Sequence, residues 1–196
     1  MDEIVRLTDE DIVFLQKKYP TLNYDVEKNI IVGDFVFDAQ YKDEDNNVLL
    51  EAVADRYQIE INLNKVTYGV PIVREIGDRI LNIAKHKNIN YAELHLNNSN
   101  GEMCTIIPPK AKEKFPNGFD LKRFLEHLEE HLYWVSYVEK YNKEPWKAHG
   151  HGDMGYLELF LEDKSKYLGD FKKYFKCNSR LEVRKKVRIL RKKYKI

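Results

Sequence analysis

Tyr57-Gln58-Ile59-Glu60-Ile61-Asn62-Leu63 alternates apolar and polar side chains without a break. Successive side chains of a strand point to opposite faces, so this stretch reads as a strand with one face on a core and one in water. The same pattern extends upstream. Asn29 to Tyr41 is rich in Ile, Val and Phe, and Phe35, Phe37 and Ala39 alternate with Asp34, Val36 and Asp38. Lys42 to Asn47 is polar and acidic and reads as a turn or loop, and Val48 to Ala54 as a further strand. Downstream come Tyr68-Gly-Val-Pro71 and a short apolar piece, Ile72 to Ile76. Together these segments predict a four-stranded antiparallel meander.

Helical signals flank the strands. Thr8-Asp-Glu-Asp11 has the form of a capping box ahead of Ile12, Val13 and Leu15, which predicts a helix from about Asp9 to Lys18. Tyr19-Pro20 should end it, because the residue before a proline is pushed out of the helical region. After the meander, Asp78 to His86 fits a short helix or an irregular excursion, and Asn90 to Leu96 alternates once more. Asn97-Asn98-Ser99-Asn100-Gly101 is a dense turn signal, followed at once by Cys104 and the Pro108-Pro109 break. From Phe119-Asp120 a long helix is predicted, with Leu121, Phe124, Leu125, Leu128, Leu132, Val135 and Val138 as its apolar stripe and Pro145 as its stop. Trp146 to Gly155 reads as loop, and Tyr156 to Leu161 and Tyr167 to Phe175 as helices. Strands followed by helices argue an α+β class.

Composition limits the possibilities. A chain of 196 residues with 43% apolar side chains can bury one sizeable core and still carry a terminal extension. No 18-residue apolar run occurs, so no membrane partner is expected. The first residues lack the basic-then-apolar layout of an export signal. Cys104 and Cys177 are too few for a disulfide framework, and free thiols in a cytoplasmic protein are expected. The formal charge of +1 hides an asymmetry. Arg180 to Ile196 holds nine basic residues and one acid, net +8, which leaves −7 for the rest. Leu181, Val183, Val187, Leu190 and Tyr194 fall at roughly helical spacing, so this tail reads as a docked amphipathic helix with a solvated basic face. On charge alone, nucleic acid is not expected among the partners.

The residues near Cys104 carry the chemistry. A lone cysteine is commonly a small buried hydrophobe. One that follows a polar turn is placed to be partly exposed, where a thiol can ionise and attack a carbonyl. His95, Asn97 and Asn98 lie in the same loop, and their side chains can donate hydrogen bonds to a developing oxyanion.

His95-Leu-Asn97-Asn-Ser-Asn-Gly101-Glu-Met-Cys104 resembles the active-site segment of ubiquitin-conjugating (UBC) enzymes, which reads His-Pro-Asn, a short turn often ending in Gly, two residues and the catalytic Cys. Tyr68-Gly-Val-Pro71 resembles that family's Tyr-Pro-x-x-Pro turn. Trp134-Val-Ser-Tyr137, Glu139, Trp146, His149-Gly150, Gly155 and Glu158 resemble bacterial members encoded near anti-phage and ubiquitin-like operons. The resemblance spans roughly Asp9 to Phe160. His-Leu-Asn replaces His-Pro-Asn, the loop is one residue shorter, and the Ile76 to Asn90 insertion is longer than usual.

The resemblance implies a UBC-like fold, with a catalytic domain over 1–165 and a basic helical extension over 166–196. It implies a thioester on Cys104, formed with the C-terminus of a ubiquitin-like modifier and passed to an amine of a target such as a nucleotidyltransferase. Asn97, or Asn98 in its place, would stabilise the oxyanion or order the loop, and His95 would brace it. His149, or else His151, would lower the thiol pKa or deprotonate the amine. Antiviral defence is the implied setting. No cofactor is implied, and with no Gly-x-Gly-x-x-Gly loop in the chain, a separate activating enzyme would supply the acyl group. Two other readings stand beside this one. A UBC-like domain can serve as an inactive binding module. His149-x-His151-x-Asp153 also has the donor types of a zinc-dependent hydrolase, although Met154 stands where that motif has its next histidine.

Overall fold

The computed structural model describes residues 2–43 and 48–196. It divides into two compact units, Met1–Lys147 and Ala148–Ile196, each described by itself below. The class is α+β, with a four-stranded antiparallel sheet and, among the described residues, seven α-helices.

In the first unit, α1 (Asp9–Lys18) begins at the expected capping box: Thr8 Oγ1 accepts from Asp11 N–H at 3.2 Å, and the Asp11 carboxylate accepts from Thr8 N–H at 3.0 Å. It ends at Tyr19. The sheet runs β1 (Leu22–Asp25), β2 (Ile30–Ala39), β3 (Val53–Thr67) and β4 (Val70–Glu75) in sequence order. Tyr57, Ile59, Ile61 and Leu63 are all buried, as their alternation demands. The two segments expected over Val48–Ala54 and Tyr57–Leu63 form one long strand, β3, from Val53. Lys42 pairs with Leu49 across the β2–β3 connection, and the centre of the expected turn, 44–47, lies outside the described residues.

α2 (Arg79–Lys87) settles the choice over Asp78–His86 in favour of a helix. The alternation of Asn90–Leu96 does not make a strand. Ala92 N–H donates to Asn90 Oδ1 (2.9 Å) and Asn90 N–H to the Glu93 carboxylate (3.1 Å), and this capping holds Tyr91–Leu94 in a single 3-10 turn. Pro108-Pro109 starts a helix, α3 (Pro108–Lys114), since proline lacks only an N–H that the first turn leaves unused. α4 (Leu121–Tyr141) is capped by Asp120 and packs its apolar stripe on β2, β3 and α1. Beneath it lies a polar cluster. Ser136 Oγ donates to Asp55 (2.7 Å) and shares a hydrogen bond with Tyr57 (2.7 Å), while Arg79 bridges Asp55 and Glu139 and stacks on the Tyr57 ring.

The second unit holds α5 (Asp153–Glu162), α6 (Lys164–Phe175) and α7 (Arg180–Tyr194). Leu157, Phe160, Phe171, Cys177, Val183 and Leu190 form its core. The division therefore falls after Lys147 and not at the expected 165/166, because α5 shares its core with α6 and α7.

Candidate functional site

The segment around Cys104 is clamped on both edges. Toward β4, Glu75 N–H donates to the Gly101 carbonyl (2.8 Å) and Met103 N–H to the Val73 carbonyl (2.9 Å). Toward the other side, Asn97 N–H donates to the Glu102 carbonyl and Cys104 N–H to the His95 carbonyl, both at 2.7 Å. Gly101–Cys104 thus runs extended between β4 and 95–97, with single bridges from Glu102 to Arg74 and from Met103 to Leu96. Met103 points to the core, and by the two-residue period Glu102 and Cys104 share the outer face. Gly101 sits at φ +77°, and a Cβ there would lie 2.0 Å from the Glu75 carbonyl oxygen, so this turn requires glycine.

Side chains close the turn before the cysteine. Asn97 Nδ2 donates to the Glu102 carboxylate (3.2 Å) and the Met103 carbonyl (3.4 Å), which engages both of its N–H bonds within the loop. Asn98 Oδ1 accepts from Asn100 N–H (3.0 Å) and Glu102 N–H (3.3 Å), and its Nδ2 donates to Glu102 at 3.3 Å. In this arrangement Asn97 orders the loop, and no N–H of its side chain is turned to an oxyanion. His95, in the left-handed region at φ 60°, packs edge-on against Trp134 (4.8 Å) and His131 (5.4 Å) of α4, a bracing contact.

His127, half-buried on α4, faces the chain just past the cysteine. Its side chain is 11% exposed, and Nε2 lies 3.0 Å from the Thr105 carbonyl, one residue past the cysteine. Lys114 Nζ is 2.9 Å from Nδ1 and 2.6 Å from Glu130. An ammonium has no lone pair, so Nδ1 must accept and Nε2–H must donate to Thr105. α3 and α4 therefore grip the chain just after Cys104. Burial pushes the Glu130 carboxyl up, but the hydrogen bond and charge of Lys114 outweigh it and hold the group below its ordinary value. Glu75, buried at the end of β4, accepts from Gly77 N–H (2.8 Å) and from Ile80 N–H (3.1 Å) in the first turn of α2. Burial raises its pKa despite these bonds.

Cys104 is a partly exposed free thiol. Burial of the sulfur first, and the Glu102 carboxylate second, push its pKa up to about 11. The group is held as a thiol at neutral pH, and the site lowers no barrier to ionisation by itself.

His149 and His151 lie in the second unit, ahead of α5. His149 is exposed, His151 is half-buried, and desolvation lowers the His151 pKa. Gly150 N–H donates to Glu158 (2.7 Å) and Met154 N–H to the His151 carbonyl (3.1 Å), which shapes the turn. Among the described residues no group of three His, Cys, Asp or Glu side chains could hold a metal ion, so the zinc reading lacks a donor set. No helix among them is long and apolar enough to cross a membrane. No protein-family model matches the chain, and neither does any curated protein or solved structure.

Proposed function

We propose that this chain is a ubiquitin-conjugating-like acyl carrier with Cys104 as the thioester-forming nucleophile. The observation that carries the reading is the placement of Cys104: a partly exposed thiol at the end of a short extended segment clamped by β4, by the His95 carbonyl and, one residue on, by His127. The order of helix, antiparallel meander, clamped cysteine and long helix supports a UBC-like fold.

In the reaction, the Cys104 sulfur attacks the thioester carbonyl of a modifier carried by a separate activating enzyme. A new C–S bond forms, the donor's C–S bond breaks, and the Cys104 proton passes to the departing thiolate. An amine of the target then attacks, a C–N bond forms, and the Cys104 sulfur leaves and takes up the amine's proton. A thiol of high pKa is a poor leaving group, which suits a carrier that must resist water until an amine is presented. Asn97 is the residue proposed to keep the loop closed.

One observation favours a different reading. Asn97 is fully engaged and the thiol is held protonated, as a docking module without catalysis would tolerate. One experiment separates the two. The protein is incubated with ATP, a ubiquitin-like modifier and a matching activating enzyme, then run on non-reducing gels. Conjugation predicts an adduct that thiol reductant removes, that Cys104→Ala abolishes and that Cys104→Lys traps as a stable amide. No adduct with wild type and none with Cys104→Lys leaves the docking module as the reading.

A further inference from the structure

We propose that α7 binds duplex DNA, lying in the major groove with its basic arc against the phosphates on either side. The inference is independent of Cys104. It reverses the expectation drawn from charge alone, because the structure shows how those charges are arranged.

First, the apolar side of α7 is already used. Val183 and Leu190 are buried against Leu157, Phe160 and Phe171, with Val187 and Tyr194 packed beside them. A helix that binds a bilayer needs a continuous apolar face free to enter it. Here the exposed apolar residues are only Leu181 and Ile189, which are not adjacent on one stripe.

Second, the outer face is cationic and uncompensated. At about 100° per residue, Arg180, Arg184, Arg188, Lys185 and Lys192 spread over roughly 140° of the helix. All five are exposed, and among the described residues none of them makes an ion pair. The helix's one ion pair there is Lys193 with Asp153, toward α5. The helix's single acid, Glu182, accepts from Asn178 N–H (2.6 Å) at the cap, off the basic arc. Without counter-charges, five cations on one face favour a polyanion.

Third, the frame fits a duplex. α6 and α7 are joined by the four residues Lys176–Ser179, and Ser179 Oγ caps α7 by accepting from Glu182 N–H at 3.2 Å. Two helices joined by so short a turn can present the second to the groove. The major groove of B-DNA, about 12 Å wide, admits a helix, whereas the narrow major groove of A-form RNA does not.

The full-length protein is titrated against fluorescein-labelled duplex DNA and duplex RNA by anisotropy. If the five cations each displace one counterion, the slope of log affinity on log salt is about −4.5, and binding weakens roughly 500-fold between 50 and 200 mM NaCl. Reversing three charges (Arg184→Glu, Lys185→Glu, Arg188→Glu) should lower DNA affinity by at least ~100-fold and flatten the slope by about 2.7. The corresponding Gln variants should show the loss in weaker form, with helicity checked by circular dichroism, and Cys104→Ala should bind as wild type. No DNA binding at 50 mM NaCl, binding that survives charge reversal, or a preference for duplex RNA overturns the proposal. So does binding to phosphatidylserine vesicles, or self-association at low salt, in place of DNA.

Discussion

Alkylation of Cys104 across pH tests the electrostatics of the site without any partner protein. Burial and Glu102 place the thiol at about 11. A free cysteine, at about 8.5, is roughly 3% thiolate at pH 7, while a thiol at 11 is about 0.01%, a ratio near 300. The more basic thiolate is also intrinsically more nucleophilic, by roughly tenfold for a Brønsted coefficient near 0.45. The two effects leave Cys104 about 25-fold slower than a free thiol toward iodoacetamide at pH 7. Rates are read by mass spectrometry of the peptide that holds Cys104, which separates it from Cys177. The logarithm of the rate should climb with unit slope from pH 7 through pH 10 with no plateau. Glu102→Gln should speed the reaction at pH 7, by less than about tenfold because burial is the larger cause. A plateau between pH 7 and 9 would refute the reasoning, and Cys104 would then be an activated nucleophile.

Gly101→Ala should cost about 2–4 kcal/mol, from a positive φ and a broken Glu75–Gly101 hydrogen bond, and should speed Cys104 alkylation; an unchanged urea midpoint argues against a required glycine. Arg79→Ala removes the partner of Asp55 and Glu139 and should destabilise the protein by about 2–4 kcal/mol at pH 7. Burial acts to raise the Asp55 pKa, but hydrogen bonds from Arg79 and Ser136 hold it below 3.8. That contribution is therefore complete above 3.8 and is lost as pH falls through the lower folded value, so the gap between wild type and variant should narrow in acid; a constant gap down to pH 2 contradicts this. His127→Ala should speed hydrogen exchange at Cys104 by about two- to tenfold, as one net hydrogen bond to the adjoining Thr105 is removed; unchanged exchange would mean that Thr105 does not need the imidazole. Phe171→Ala should cost about 3–5 kcal/mol in the α5–α7 core and should be visible as lost helicity on mild heating.

Elements specified by local signals were legible in the sequence. α1 has both its cap and its stop within a few residues, β3 alternates, and α4 carries a stripe that no strand could bury on one face. β1 was missed because four residues are too few to show a period, and it owes its place to pairing with Ile30 to Gly33. Asn90–Leu96 misled because alternation and a capped 3-10 turn can share a sequence. At the site, the cysteine and its turn were readable, while Glu75 and Gly101 hold each other across residues that no local pattern links. His127 carried no local sign of its role, because its partners, Thr105 and Lys114, come from other segments. His131 left a trace, since it lies inside the stripe, three residues after Leu128 and beside Leu132.

The hydrogen bond between Glu75 N–H and the Gly101 carbonyl has a further consequence. The chain leaves β4 at residue 76, travels through α2 and the 3-10 turn, and returns at residue 100 to the point it left. Midway along it Asn88, the C-cap of α2, is exposed and turns in the left-handed region. Added length just past that cap meets the slow logarithmic cost of a longer loop, about 0.6 kcal/mol per doubling, besides any cap hydrogen bond to Ala84 or Lys85 that it displaces. The two ends stay fastened, so the cysteine does not register the change. Asn88 is thus a place to graft a reporter or a recognition peptide, so that new cargo travels with the thiol and leaves its chemistry alone.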